Sequence, residues 1–484
     1  MNLKVISRNV GVALLVSALF MLLSVFVSLF DGGDTALAPL LISFTITFIF
    51  GIFPFFFVRK TTQISLKDGY MIIFLSWLLS FIFGMLPYAL WGGPFTLVNA
   101  WFESVSGFTA TGATVIADVE SLPPSLLFWR SATHFIGGLG VTVFLILLIP
   151  SASPIRSRLT NMELSSLSKS GYSARSGKTV FIFTYVYLGI FALSLVSYLI
   201  AGMSPLDAVC QAFSVSATGG FSTKNISILG FHSTLIEGLT MVFMLLSSLH
   251  FGLLFLSVVN RSLKPLNTPV LKFYLLAVAI VSVVSGLSLK FNGVIPSFGR
   301  AIWCGTFQTI STVTTTGFAI ADNATFPAWT NILLIAMAVM CGCAGSTSGG
   351  VKADRVFILF KTIGRQIGKT LHPNLVNEVK VGSRVLHEEE VTQYLLYIAI
   401  YAVMFLISTI IALCLGVGFE NAFSGSICSL SNVGPAMGEI GSMGNYGALS
   451  SGAKFLFSVD MFLGRVEVYP IVAVLAMIFD RHRR

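Results

Sequence analysis

The sequence predicts an all-α polytopic membrane protein, and three observations indicate it: the composition, the uncharged segments and a fourfold internal repeat. Of 484 residues, 55% are hydrophobic and 10% are charged, whereas a soluble globular chain is about a quarter charged. A membrane-spanning helix needs about 20 apolar residues. Four segments of that length contain no Asp, Glu, Lys or Arg: 10–30, 37–58, 70–91 and 179–201. No soluble fold requires four such segments, so the chain belongs to the membrane class.

The positions of the basic residues indicate the topology. The net charge is +9, and Lys and Arg concentrate in the connections between apolar segments. These basic connections are residues 1–9, 59–67, 156–178, 261–272, 352–384 and 481–484. Because cytoplasmic loops retain Lys and Arg during membrane insertion, both termini are expected in the cytoplasm. The positive charge is therefore a topology signal and not a nucleic-acid-binding patch.

Two N-terminal helices, at 10–30 and 37–58, precede four repeats with the same three parts. Each repeat has a long apolar helix, a short half-apolar segment and a return helix. The long helices are predicted at 70–91, 179–201, 273–289 and 393–419, the short segments at 97–108, 205–215, 300–313 and 420–430, and the return helices from about residues 127, 234, 327 and 453. The short segments cannot span a bilayer, which indicates re-entrant helices. The predicted units are 1–68 for the N-terminal pair and 69–150, 151–259, 260–370 and 371–484 for the repeats.

A stretch of small residues ending in glycine follows each short segment. These candidate filter residues are Thr109, Ala110, Thr111, Gly112, Ser216, Ala217, Thr218, Gly219, Thr314, Thr315, Thr316, Gly317, Ser431, Asn432, Val433 and Gly434. Rings of backbone carbonyls can replace the hydration shell of a cation, and glycine allows the backbone conformations that this needs. Small residues also occur where membrane helices pack, but packing does not explain four matching positions. A cation filter is therefore predicted, with one well-formed carbonyl layer at the glycines.

Residues 341–351 interrupt the third return helix with the sequence CGCAGSTSGGV. Each glycine costs about 1 kcal/mol relative to alanine in a helix, and broken helices at membrane depth occur where the backbone lines a cavity. The segment is therefore predicted to be non-helical and to obstruct a pore on the cytoplasmic side of the filter. The candidate gate residues are Gly345, Ser346, Thr347, Ser348, Gly349, Gly350, Lys352 and Arg465. A flexible cytoplasmic linker is the alternative.

Arg465 lies within the predicted final helix, 455–479, where a charge is costly unless it is solvated or paired. Asp460 and Glu467 do not have the spacing of helical ion pairs with it. We therefore expect Arg465 to face the pore beside residues 341–351 and to form an electrostatic barrier. A buried ion pair with another helix is the alternative. Asp460 and Glu467 are also the candidate proton carriers of a coupled transporter, the second functional hypothesis.

No motif predicts an enzyme or a resident cofactor. The six cysteines lack metal-ligand spacing, and no nucleotide-binding motif is present in the sequence. Glu103, in the first short segment, has two interpretations. It either concentrates cations at the mouth of the pore or forms structural hydrogen bonds.

The repeated segments, the sequence from Cys341 to Lys352 and the position of Arg465 resemble the Trk/Ktr/HKT potassium transporter superfamily, and the two extra N-terminal helices resemble its TrkH branch. The resemblance implies four M1-P-M2 units around one pseudo-fourfold pore. It also implies potassium uptake across a bacterial inner membrane, with potassium the only metal bound and no nucleotide or organic cofactor in the chain. The implied partners are a second copy of the chain in a homodimer and a cytosolic TrkA-like nucleotide-binding regulatory ring.

Overall fold

The fold is predominantly helical, as the sequence predicts. A computed structural model describes residues 2–58, 65–138, 140, 176–372, 378–382, 384–466, 471 and 474. Within these ranges the strands are two short ones, β1 (Lys380–Val381) and β2 (Arg384–Val385), which pair antiparallel. The predicted boundary between residues 150 and 151 lies outside the described residues, and the division into domains remains a prediction.

The N-terminal pair consists of α1 (Leu3–Phe30) and α2 (Leu37–Phe57). The two helices approach closely, since a β-carbon on Gly11 would stand 2.6 Å from the carbonyl oxygen of Gly51. Small residues at such a contact let helix backbones pack directly. Helix α1 also packs on repeat 1, whereas α2 presents a row of exposed phenylalanines. The hairpin therefore covers one side of the bundle and leaves α2 outermost.

Each of the four repeats contains a long helix, a short helix and a return helix, and we call the short one the pore helix after its predicted role. Repeat 1 contains α3 (Leu66–Gly84), α4 (Leu86–Trp91), α5 (Leu97–Phe108) and α6 (Pro124–Gly138). Repeat 2 contains α7 (Ser176–Ile200), α8 (Pro205–Ala217), α9 (Thr234–Ser248) and α10 (Phe251–Val259). Repeat 3 contains α11 (Pro269–Phe291), α12 (Phe298–Val313), α13 (Ala328–Met340) and α14 (Ala353–Leu371). Repeat 4 contains α15 (Glu388–Cys414), α16 (Phe419–Ser431) and α17 (Ser451–Val466).

The lengths of these helices match the predicted roles. Six helices in the described ranges are long and apolar enough to cross a membrane, and a seventh crossing follows if α9 and α10 form one bent span. The pore helices α5, α8, α12 and α16 have 12, 13, 16 and 13 residues. At 1.5 Å per residue they are too short to span the roughly 30 Å core. They begin and end close to the predicted residues.

The second and third return helices are both broken. Helices α9 and α10 meet at an angle of 103°, a bend that the sequence did not predict. The Nδ1 atom of His250 accepts a hydrogen bond from Gly252 N at 3.0 Å and so caps the second half. In repeat 3, α13 ends at Met340 and α14 begins at Ala353, so the predicted non-helical break is present.

Candidate functional site

The backbone turns in the same way at the end of every pore helix. A residue with positive φ follows each helix: Ala110 (52°), Thr218 (54°), Thr315 (58°) and Asn432 (55°). Each donates its N–H to the carbonyl three residues earlier, and the next residue donates to the carbonyl five residues earlier. This is a Schellman-type helix end, which turns the chain away from the helix axis. The four repeats therefore present one backbone geometry despite different side chains.

This geometry corrects the alignment of repeat 2 by one residue. Gly112 and Gly317 follow their left-handed residues by two positions and have φ of 82° and 79°. In repeat 2 the residue at that position is Gly220, with φ of 87°, and not Gly219. Gly219 instead makes the five-residue hydrogen bond, to Ser214 O, that Thr111 and Thr316 make in their repeats. The sequence did not settle the register because two glycines are adjacent there.

We call residues 109–112, 217–220, 314–317 and 431–434 the ring segments. With the corrected register, Ser216 lies one position before the ring segment of repeat 2. Gly434 is also an exception, because it lacks the positive φ of the other three glycines. The proline that follows it restricts its backbone.

The ring segments contact one another in a closed cycle. A β-carbon on Gly112 would stand against the carbonyl of Gly219, and one on Gly220 against the carbonyl of Thr316. One on Gly317 would stand 2.7 Å from Pro435 Cδ, and one on Gly434 would return to Gly112, 2.7 Å from its carbonyl oxygen. Three of these glycines also need their positive φ. Glycine is therefore required at this level of the cycle.

The backbone carbonyls of the ring segments are largely without hydrogen-bond donors. The three final residues of each segment supply twelve carbonyls, and among the described residues only Gly434 O accepts a hydrogen bond. Their residues are buried or half-buried. Since buried carbonyls are nearly always paired, a concentration of unpaired ones is a cluster of partial negative charge. Such a cluster can bind a cation.

A cavity of about 70 Å³ adjoins the ring segments on one side. It is lined by the four ring glycines and by residues that follow them, such as Ala113, Ser222 and Pro435. The 341–351 segment contacts the other end of the ring segments. Thr347 Oγ1 donates to the carbonyl of Ser216, one residue before the ring segment of repeat 2, at 3.2 Å, and Ser348 Oγ donates to Thr314 O at 3.1 Å.

Hydrogen bonds and close contacts hold the 341–351 segment against the ring segments. Gly349 N donates to Thr315 Oγ1 at 3.0 Å, and a β-carbon on Gly349 would stand 2.5 Å from Ser431 O. The Nζ atom of Lys352 donates to Ser348 O and folds back over the segment. Of the other predicted gate residues, Gly345 accepts from Phe251 N, and Ser346 Oγ donates to Cys343 O at 2.6 Å. Gly350 has a φ of 66°. The segment is thus ordered by contacts to repeats 2, 3 and 4.

Arg465 adds the contact to repeat 1. Its Nη1 donates to Thr347 O at 2.7 Å, and its Nη2 donates to Gly137 O and Gly138 O at 2.8 and 2.9 Å. Arg465 therefore lies beside the 341–351 segment. The rigid fork of a guanidinium suits this divided arrangement, which a lysine could not copy.

Glu103 forms structural hydrogen bonds, which is one of the two roles predicted for it. Both Glu103 and Arg130 are buried, and Arg130 Nε donates to Glu103 Oε1 at 2.6 Å. Glu103 also accepts from Val115 N, just beyond the ring segment of repeat 1. Arg130 reaches repeat 2, where it donates to Ser222 O and lies 3.5 Å from the ring centre of Phe221. The pair therefore ties two repeats together. The sequence signal for this pair is a single arginine within the apolar sequence of α6.

Of the two acidic residues considered for coupling, Asp460 is buried against Ser408 of α15. Glu467 lies outside the described residues. No group of three or more His, Cys, Asp or Glu side chains in the described part of the chain could hold a metal ion.

The helical arrangement and the ring define the class: a polytopic membrane protein with four M1-P-M2 repeats around one axis. Comparisons with known proteins agree. The family model described as "TrkH: Cation transport protein" matches residues 38–482, so the chain belongs to the TrkH family. It is 30% identical to the Trk system potassium uptake protein TrkH of Escherichia coli (strain K12), over 99% of this chain and 100% of that one. It is 32% identical to TrkG of the same strain, over 99% of each. The crystal structure of the potassium transporter TrkH from Vibrio parahaemolyticus superposes with a TM-score of 0.88 at 30% identity, covering 98% of this chain and 99% of that one.

Proposed function

We propose that this chain is a potassium uptake protein whose ring segments form the selectivity filter. The observation that carries the proposal is the set of ring carbonyls without internal donors, arranged in a closed cycle of four segments. Dehydrated potassium needs several oxygen ligands of modest charge, and backbone carbonyls supply them. The relatives named above as potassium uptake proteins support the choice of ion. Potassium is cargo here, and the proposal includes no enzymatic activity and no organic cofactor in the chain.

The proposed orientation places the 341–351 segment on the cytoplasmic side of the filter. Both termini are then cytoplasmic, as the basic connections indicate, and the cavity at the ring glycines faces outward. The membrane is the inner membrane of a bacterium. The nucleotide-dependent control and the homodimer implied by the family resemblance are part of the same proposal: a cytosolic TrkA-like nucleotide-binding ring would act on this chain from the side of α14.

We also propose that the 341–351 segment and Arg465 form the gate. The segment contacts the cytoplasmic ends of the ring segments directly, and Arg465 holds it against repeat 1. A positive charge at this place opposes cation passage. The gate opens when these hydrogen bonds are exchanged for others.

Ion flux in liposomes tests the filter. Purified protein should pass potassium in preference to sodium, and replacing Gly112, Gly220, Gly317 or Gly434 with serine should reduce the permeability ratio about tenfold or more, which corresponds to about 1.4 kcal/mol. Gly202→Ser is the matched control, because Gly202 has a φ of 92° but nothing lies within 4 Å of its β-carbon position. An unchanged ratio in all four ring variants would contradict the filter.

A transporter that couples potassium to sodium or protons is the second candidate, motivated by the buried carboxyl group of Asp460. The same liposomes distinguish the two functions. A channel reverses its current at the potassium equilibrium potential, whereas imposed sodium or pH gradients shift the reversal potential of a coupled transporter.

A further inference from the structure

Three pore helices support their own ring segment from the same position. Seven residues before each left-handed residue stand Glu103, Gln211 and Gln308, and each bonds to the chain just beyond its own ring glycine. Glu103 accepts from Val115 N at 3.1 Å, Gln211 Nε2 donates to Ser222 Oγ at 2.8 Å, and Gln308 Nε2 donates to Ala321 O at 2.7 Å. These contacts fix the backbone that leads out of each segment.

The fourth repeat has no such side chain at the equivalent position. The equivalent residue is Gly425, and a β-carbon there would stand 2.9 Å from Phe457 Cζ and 3.0 Å from Ile440 Cδ1. The packing of repeat 4 therefore excludes a larger side chain at this position, and the pore helix contacts the chain beyond its ring glycine from the neighbouring position, where Ser424 Oγ accepts from Met437 N at 3.1 Å. The carbonyl of the ring glycine itself is contacted by a residue from another part of the chain.

This residue is Tyr446, in the connection between the fourth ring segment and α17. Its hydroxyl donates to Gly434 O at 3.0 Å, the only carbonyl among the twelve that accepts a hydrogen bond within the described ranges. Its N–H donates to Thr114 O of repeat 1 at 2.8 Å. The ring is buried between Phe102 and Phe457, with centroid distances of 5.2 and 5.9 Å. The hydroxyl is therefore held in place by the packing of its own ring.

We propose that Tyr446 is a positioning residue that sets the ion preference of the pore through the carbonyl of Gly434. The inference rests on the proposed filter function. A hydroxyl donor withdraws charge from the oxygen that it binds and fixes its direction, so one of four glycine carbonyls is a weaker and more rigid ligand than the others. Weak or distant ligands favour the larger, more easily dehydrated cation, and a stronger, freer carbonyl favours sodium.

Tyr446→Phe tests this directly, because it removes the hydroxyl and preserves the ring, its aromatic contacts and the backbone bond to Thr114. Tyr198→Phe is the matched control, since Tyr198 is equally buried and its hydroxyl bonds to Thr240 Oγ1 at 3.1 Å, between the helices of repeat 2. Reversal potentials under mixed potassium and sodium are the measurement, because they do not depend on how much protein is folded. The potassium-to-sodium permeability ratio should fall severalfold in Tyr446→Phe and stay at the wild-type value in Tyr198→Phe.

The outcomes separate this inference from the filter proposal. If the ring-glycine variants have the same potassium-to-sodium permeability ratio as the wild-type protein, the filter proposal itself is wrong. If the glycine variants lose discrimination and Tyr446→Phe retains the wild-type reversal potential, the filter stands and the role of Tyr446 is overturned. A loss of total flux with an unchanged reversal potential also overturns it, because that result indicates a structural role alone.

Discussion

At the scale of single residues, Arg465 has the most direct connection to the proposed gate. Within the described residues, its guanidinium donates three hydrogen bonds to backbone carbonyls of the 341–351 segment and of α6. Hydrogen bonds from a charged donor contribute about 1.5–3 kcal/mol each. The residue can therefore act both as a positive charge near the proposed pore and as a tie that holds the proposed gate against the ring segments.

Two substitutions separate these roles. Arg465→Ala should raise potassium flux in the absence of any partner by about tenfold, equivalent to about 1.4 kcal/mol. Arg465→Lys keeps the charge but cannot span carbonyls on two elements. If potassium flux stays low in the lysine variant, the positive charge is the barrier. If flux rises as in the alanine variant, the hydrogen bonds of the guanidinium are what restrain it. Reduced flux in Arg465→Ala, with the protein still folded, would refute both roles.

At the scale of the elements, the 341–351 segment and the helix ends were the best predicted features. Glycine-rich composition and the limit on spanning length depend only on local sequence, so the break after Met340 and the four pore helices could be foreseen. The register of repeat 2 and the bend before Phe251 could not be predicted from the sequence. The register depends on which of two adjacent glycines contacts the neighbouring repeat, and the bend depends on the 341–351 segment that lies against it.

Gly349 provides a test of the gate element. A methyl group at this position would stand 2.5 Å from Ser431 O, so Gly349→Ala should push the segment away from the ring and raise potassium flux severalfold. Gly364→Ala, in α14, is the control because nothing lies within 4 Å of its β-carbon position. If both variants pass potassium at the wild-type rate, the segment is better described as a linker than as a gate.

At the scale of the whole molecule, contacts between repeats close the ring. Asn432 Nδ2 of repeat 4 donates to Thr111 Oγ1 of repeat 1 at 3.0 Å, and Arg130 of repeat 1 reaches Ser222 of repeat 2. Sequence reasoning could not find these contacts, since Asn432 and Thr111 are 321 residues apart. The fourfold pattern could be predicted from the sequence, whereas the polar contacts that join one repeat to the next required the structure.

The buried ion pair of Glu103 and Arg130 should contribute strongly to the stability of the folded protein. Glu103→Gln leaves a buried arginine without its charge partner, a change that costs about 3–5 kcal/mol, and the melting temperature in detergent should fall accordingly. Glu120→Gln is the control, because Glu120 and Lys224 are partly exposed and 3.8 Å apart, and such a pair contributes at most about 1 kcal/mol. Equal melting temperatures for the two variants would contradict the importance of the buried pair.

The breaks in the second and third return helices are joined by backbone hydrogen bonds. Cys343 N donates to Ser248 O, and Phe251 N donates to Gly345 O, so groups left over by the bend in repeat 2 are satisfied by the break in repeat 3. If the 341–351 segment moves, these groups lose their partners in a region where lipid offers none. Water must therefore enter as the segment leaves. If the segment is the proposed gate, opening the path and wetting it would then be one event.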